Sequence, residues 1–599
     1  MAEKYVLEVL NPRGERKNKV QGLTAPRIPT IEGKKIAVIF TLPESVYFSN
    51  CLAKVMQEKY PTAKIDCLQV GMNEEENLAI LANYDAFVDG VRLSGGWQNE
   101  PPAVYEKKGI PGIHMCMETM YSQATFSFLS HGLPTMRIVS IPTLMWIKAE
   151  NKAENYPPIA EYMLDKVVKA LTDPLTEEEK NPTAYEYDFS NLFFEGEDYE
   201  DALKKFEQYF LDNALSDGIA VLPPTPKAVD YMLTGTSRDR NEVLRGVMQP
   251  GNGIVTVEKV AIAAAMAGAK PEYMPVILTA VELLIDPGLL SWHALAAINS
   301  DNIAIYVGGP IAKELGMSGR GACFGPGTPA NNIIGHAVSL CALNCGWIEF
   351  ETHGGMYGQP SRFCNLVFTD NQELSPWETY SESRGFGPED STVMVEEVFY
   401  LDGTFQLGNM AMPSGLWTRG LMGDLDNIAN KCVGDRPALE TMRKGNRTIH
   451  GATAFKGGDE IGAVMNGSPY ILVMYPGEAQ QLAEAGYDRE KLARYICDSK
   501  AIPWDDFDED LQAQIRGLAE SGTFPGLTLE NCQPGGKIPV MNSNRIAIMV
   551  AGHMSGQTIG MHCLGSYGSR FTPVEGHGPF DSPFHIKKIT GATLTKAGR

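Results

Sequence analysis

The sequence predicts a multi-domain α/β fold of Rossmann-like or flavodoxin-like parallel-sheet layers with a β-rich insertion. Three observations predict it. Short apolar runs recur with helical segments between them, the rhythm of strand, helix and strand in a parallel sheet. Several runs empty into glycine-rich turns, as at Gly90-Val-Arg-Leu-Ser-Gly-Gly96, Gly308-Gly-Pro310 and Gly552-His-Met-Ser-Gly556. The 599 residues also exceed what one core organises, so about three or four domains are expected.

Residues 1–32 are polar and broken by prolines, and read as an extended arm that packs on a neighbour. The first α/β domain, 33–150, carries strands at Lys35 to Phe40, Lys64 to Val70, Ala86 to Val88, Ile110 to Cys116 and Thr135 to Ile141, with a helix through Asn50 to Lys59. In such sheets ligands bind at the loops leaving the strand carboxyl ends. Those loops are Thr41 to Ser45, Gly90 to Glu100 and Glu118 to Tyr121. Residues 151–217 are an acidic linker or strap, read as a solvated charged face.

A second α/β domain spans 218–350. Ile219 to Leu222 reads as a strand, Val255 to Gly268 and Pro275 to Ile285 as helices, and Ile303 to Val307 as a strand. Gly321-Ala-Cys-Phe-Gly-Pro-Gly-Thr-Pro-Ala-Asn-Asn332 then feeds a helix towards Cys345. Such a loop leaves amide donors at a helix start, suited to a carboxylate or phosphate, and a purely structural turn is an equal reading. A β-rich insertion, 351–460, precedes a third α/β domain, 461–599. There Ile471 to Met474 and Arg545 to Ala551 are strands, and two helices lie at Gly477 to Ala485 and Arg489 to Ile496.

The net charge of −22 argues against nucleic acid or an anionic membrane as partner. No apolar run reaches the ~20 residues that span a bilayer, and the N-terminus lacks a signal core. Eleven cysteines without a Cys-x-x-Cys pair read as reduced thiols of a cytoplasmic protein. Cys341 and Cys345 share one helical face, and core packing is the expected reason.

Cofactor motifs are missing. There is neither a dinucleotide fingerprint nor a Walker loop. His562-Cys563 with His553 and His577 is too irregular for zinc, so no metal or other cofactor is assigned.

The stretch 274–346, from MPVILTAVELLIDPG to SLCALNCG, resembles the UGSC-motif family of bacterial selenoproteins and their cysteine homologues. So do SRFCNLVFTDNQELSPWE, Arg384-Gly-Phe386, the N-terminal NPRGE, the EKKGIP turn and the closing GSYGSR. The resemblance implies that the third strand of the first domain leads into a reactive selenocysteine or cysteine. That pattern is similar to the substrate-activating component of the glycine, sarcosine and betaine reductases. Here the corresponding loop, Val91 to Glu100, has no cysteine, so selenol-style reduction does not carry over.

The candidates that remain follow from side-chain chemistry. Ser94 stands where the resemblance places the nucleophile, but a serine needs a base within hydrogen-bond reach. Equally, Ser94, Gly95 and Gly96 form an anion-cradling turn beside Arg92. Cys116 ends the fourth strand and Glu118 follows it, and Cys364 is a further thiol. His293 and His336, with His353 near them, are acid/base candidates on glycine-rich segments. Gly325, Gly327, Asn331 and Asn332 would help hold the substrate.

The leading expectation is an enzyme cleaving a carbon–heteroatom bond, by hydrolysis or elimination, in a small anionic molecule bound between domains. Homo-oligomerisation is expected. The alternatives are a thiol-dependent reductase using Cys116 or Cys364, or a redox partner's thiol, and a non-catalytic subunit of a reductase complex.

Overall fold

The computed structural model describes residues 4–41, 45–71, 74–92, 96–289, 291–296, 301–325, 327–349, 363–402, 420–433, 438–444, 460–554, 558–563 and 580–597. Its strands begin with β1 (Tyr5–Val9), β2 (Lys35–Phe40), β3 (Lys64–Gln69), β4 (Ala86–Arg92), β5 (Gly112–Met117), β6 (Ile138–Ile141), β7 (Leu192–Gly196) and β8 (Asn302–Gly308). They continue with β9 (Leu366–Phe368), β10 (Thr392–Asp402), β11 (Tyr470–Met474), β12 (Ile502–Pro503), β13 (Lys537–Ile538), β14 (Ile546–Val550), β15 (Ile559–Cys563) and β16 (Ile586–Lys588).

The first sheet is five-stranded and parallel, in the order β3-β2-β4-β5-β6. Its strands read as apolar runs because helices cover both faces. Ile36 and Val38 of β2 meet Phe48, Leu52 and Met56 of the helix Val46–Lys59, with Met163 and Val167 of the helix Pro157–Thr172. Ala37 and Ile39, on the opposite face, meet Ala103, Tyr105 and Phe128 of the helices Gly96–Lys107 and Tyr121–Ser130. Each large side chain so buried contributes about 1.5–3 kcal/mol. The five expected strands of this domain are all present, so the parallel α/β layer is confirmed.

The arm packs on its own chain. β1 pairs antiparallel with β7, and Arg27 Nη1 donates to both Glu106 oxygens at 3.0 Å in a buried bridge. Arg137 fastens the acidic strap, donating to both Glu179 oxygens (2.6 and 2.9 Å) and to the carbonyls of Ala170, Asp173 and Pro174.

The second and third units share one seven-stranded mixed sheet, β14-β11-β15-β10-β8-β9, with β16 also paired to β10. β10 lies in the segment read as an insertion, yet it is a central strand, bonded on its edges to β8, β15 and β16. Its run TVMVEEVFYLD interrupts apolar residues with two glutamates, which obscures a buried central strand.

The alanine-rich helix Val257–Met266 is capped by Thr256 and packs against the helix Pro329–Cys345, small residues allowing the close approach. Thr225 with Pro226 opens the helix Pro226–Leu233 as its sequence demands. Residues 219–222 are not a strand. Ile219 and Leu222 are exposed, and Gly218 at φ +90° with Pro223 and Pro224 turns the chain there. No helix among the described residues is long and apolar enough to cross a membrane.

Candidate functional site

The order of the first sheet fixes where a ligand crevice can form. Counted within the sheet the order is 2-1-3-4-5, and the crossovers reverse direction between β2 and β4. The carboxyl ends of those two strands, Phe40 and Arg92, therefore flank the switch point. The helix Val46–Lys59 starts at the same edge. Its N-cap residue, Ser45, makes no side-chain bond to the helix and donates instead to the Val91 carbonyl. That contact ties the two loops together and leaves the first amides of the helix to other acceptors.

Ser94 and Gly95 lie outside the described residues. Arg92 ends β4 opposite Cys116 in register, and Gly96 opens the helix Gly96–Lys107. Cys116 is buried in β5, and burial pushes its thiol up to about 12. A thiol so held is not a ready nucleophile. Glu118 follows at the exposed edge, in the turn Glu118–Met120.

Between β4 and β5 sits a pair that the sequence reading missed. Asp89 Oδ2 and His114 Nδ1 lie 2.7 Å apart, both side chains essentially inaccessible to water. The His114 ring rests edge-on against Phe128, its centroid 5.3 Å away. The carboxylate fixes the orientation of the imidazole. Two polar residues at matched positions in apolar strand runs, AFVDGVR and GIHMCM, were the available signal.

The second group of candidates assembles on the second domain. Asn331 is buried and committed to structure, its Oδ1 accepting from the Ser318 amide (3.0 Å) and the Thr328 hydroxyl (2.7 Å) and its Nδ2 donating to the Val367 carbonyl (2.9 Å). It shapes the loop rather than reaching a ligand. Asn332 is half-buried in the first helical turn, while Gly325 and Gly327 hold positive φ values of +134° and +56°. His336 pairs through Nε2 with Asp217 at 3.1 Å, joining its helix to the loop after the helix Tyr199–Asp212.

Cys364 is half-buried with its thiol raised by burial, and its carbonyl packs against Gly335, where a Cβ would lie 1.6 Å away. His293 lies on the helix Ser291–Ala296, which packs on the helix Gly96–Lys107. Through that contact the second domain reaches the element that begins at Gly96. His353 lies outside the described residues.

Other buried acids were also missed. Glu396 and Glu397 of β10 are fully buried on opposite faces of the second sheet, and Asp301 is buried at the start of β8. Burial, followed by these carboxylates, pushes the Cys563 thiol well up. Among the described residues no group of three or more His, Cys, Asp or Glu side chains could hold a metal ion.

Residues 8–173, which contain the whole first sheet and its switch point, match the UGSC family. This segment is a UGSC-family domain. The match stops short of the second sheet, so the UGSC-family domain accounts for the edge with Arg92 and for the Asp89–His114 pair. No curated protein and no solved structure matches the chain.

Proposed function

We propose that the protein is an enzyme cleaving a carbon–heteroatom bond, by hydrolysis or elimination, in a small anionic organic molecule. The molecule would sit at the carboxyl edge of the first sheet, against the second domain. The observation that carries this reading is the strand order, which sets the ends of β2 and β4 at a switch point. Three considerations support an anionic ligand there. β4 ends in Arg92, a cationic residue type, the sequence Ser94 to Gly96 that follows carries a hydroxyl and two glycines, and the helix Val46–Lys59 offers amides that Ser45 does not cap.

Burial raises both thiol candidates, Cys116 and Cys364, so the reductase alternative has less support. The test is a thermal-shift and turnover panel of small carboxylates, amides and halo-acids. A compound that is consumed and raises the melting temperature of wild-type protein, but not of a folded Arg92→Gln variant, supports the proposal. Equal binding by both proteins, or turnover only when a second protein is added, sinks it.

A further inference from the structure

The helix Pro329–Cys345 ends in two cysteines one turn apart, both fully buried. Both belong to the hydrophobic core, as filler thiols do, but Cys345 also borders a polar segment. The NPRGER segment of the arm lies over it, with Gly14 pressed so close that a Cβ there would be 3.2 Å from the sulfur and 2.6 Å from the Ile254 carbonyl oxygen.

Arg13, buried, and Lys259, half-buried, direct positive charge at this sulfur, and Arg16 lies beside Arg13. Arg13 donates to the carbonyls of Leu343 (3.3 Å), Asn213 (2.9 Å) and Ala214 (3.2 Å). Lys259 Nζ donates to the Asn11 carbonyl at 2.6 Å, and the Arg16 guanidinium stacks 3.7 Å from the Trp347 ring. The carboxylates nearby are peripheral. Glu15 and Glu349 are exposed, and Glu258 is paired with Arg240. Glu349 still acts on Arg13 and Arg16, and Cys345 is a buried acidic group beside the same cations.

The thiols respond in opposite senses. Cys345 is lowered by the hydrogen bond from Cys341, then by Lys259, Arg13 and the Gly14 amide, against a burial penalty. Cys341, which gives that hydrogen bond and is buried, is raised.

We propose that Cys345 and Cys341 form a redox-active pair in which a hydroperoxide oxidises Cys345 and Cys341 then closes an intrahelical disulfide. The Cys345 thiolate attacks the distal hydroperoxide oxygen. A sulfur–oxygen bond forms, the oxygen–oxygen bond breaks, and the leaving hydroxide or alkoxide takes a proton. The Cys341 sulfur next attacks the sulfenic sulfur of Cys345. A sulfur–sulfur bond forms, and hydroxide leaves with the Cys341 proton as water. Two electrons pass from the thiols to the peroxide. Four residues along a helix set the Cα atoms about 6 Å apart, inside the span a disulfide bridges. Cys345 is the last residue of its helix, so closure distorts an end rather than the interior.

The test is peptide mapping of the reduced full-length protein after a few equivalents of hydrogen peroxide, with free thiols alkylated. A Cys341–Cys345 disulfide is expected before any oxidation of Cys116 or Cys364, and dithiothreitol should reverse it. In Cys341→Ser, dimedone should trap Cys345 as its sulfenic acid. If that variant does not fold, the wild-type map alone decides. Cys345 remaining a free thiol while half-buried Cys51, Cys67 or Cys364 is oxidised overturns the proposal.

Discussion

Asp89 Oδ2 and His114 Nδ1 meet at 2.7 Å between β4 and β5, sealed from water beneath the edge that ends at Arg92. Removing one partner of such a pair takes away a contact made in a low-dielectric interior. Asp89→Asn and His114→Ala are each expected to cost about 3–5 kcal/mol. In a double-mutant cycle followed by urea unfolding, the pair should couple by about 1–3 kcal/mol. Additive losses would mean that the two side chains act separately.

The strap clasp at Arg137 gives a pH signature. Burial alone would raise the Glu179 carboxyl, but Arg137 and the Thr176 amide outweigh it and hold it below the ordinary range. The folded value is thus lower than the unfolded one. The stabilisation is complete above about pH 4.3, the ordinary glutamate value, and fades as pH falls through the folded value. Glu179→Gln should lower stability at pH 7 by about 1 kcal/mol, because water still reaches the pair. Once the pH has fallen below the folded value the variant and wild type should converge. A gap between their melting temperatures that widens on acidification would contradict this.

Gly112 starts β5 with the Phe87 ring against its backbone. A Cβ there would lie 2.2 Å from two ring carbons, and Phe87 is itself fully buried. Overpacking of this kind costs about 1–3 kcal/mol. Gly112→Ala should therefore show a clear drop in the urea midpoint, and Gly109→Ala, whose Cβ meets nothing, should pay only for its φ of +88°. A Gly112→Ala protein as stable as wild type would show that the ring has room to move.

Cys116 offers a chemical check on the first sheet. A thiol near 12 is ionised in about one molecule in ten thousand at pH 8. Iodoacetamide should leave it unlabelled in native protein at that pH and label it fully in urea. Rapid native labelling would return Cys116 to the list of nucleophiles.

The first sheet was legible because its strands are mostly apolar runs between helical segments, as in KIAVIF and GIHMCM. The second sheet was harder for a physical reason. Its neighbours are far apart in sequence, β10 with β15 and β16, so nothing local announces that two units share one layer. Polar residues caused the remaining misreadings. Asn331 looked like a ligand group, yet its side-chain bonds all hold backbone or the Thr328 hydroxyl. The Asp89–His114 pair went unread because its two halves are 25 residues apart and align only through strand register.

The late pairing of β10 has a consequence for synthesis on the ribosome. One edge can join β8 as soon as residue 402 emerges, but the strand that covers the other edge ends at Cys563. At about 5–20 residues per second, that edge waits on the order of ten to thirty seconds. Throughout the interval the nascent polypeptide displays an apolar strand with open amides and carbonyls, a template for the wrong neighbour. Stalled or truncated translation products ending between these strands should therefore clump, whereas those halted soon after residue 173 should stay dispersed.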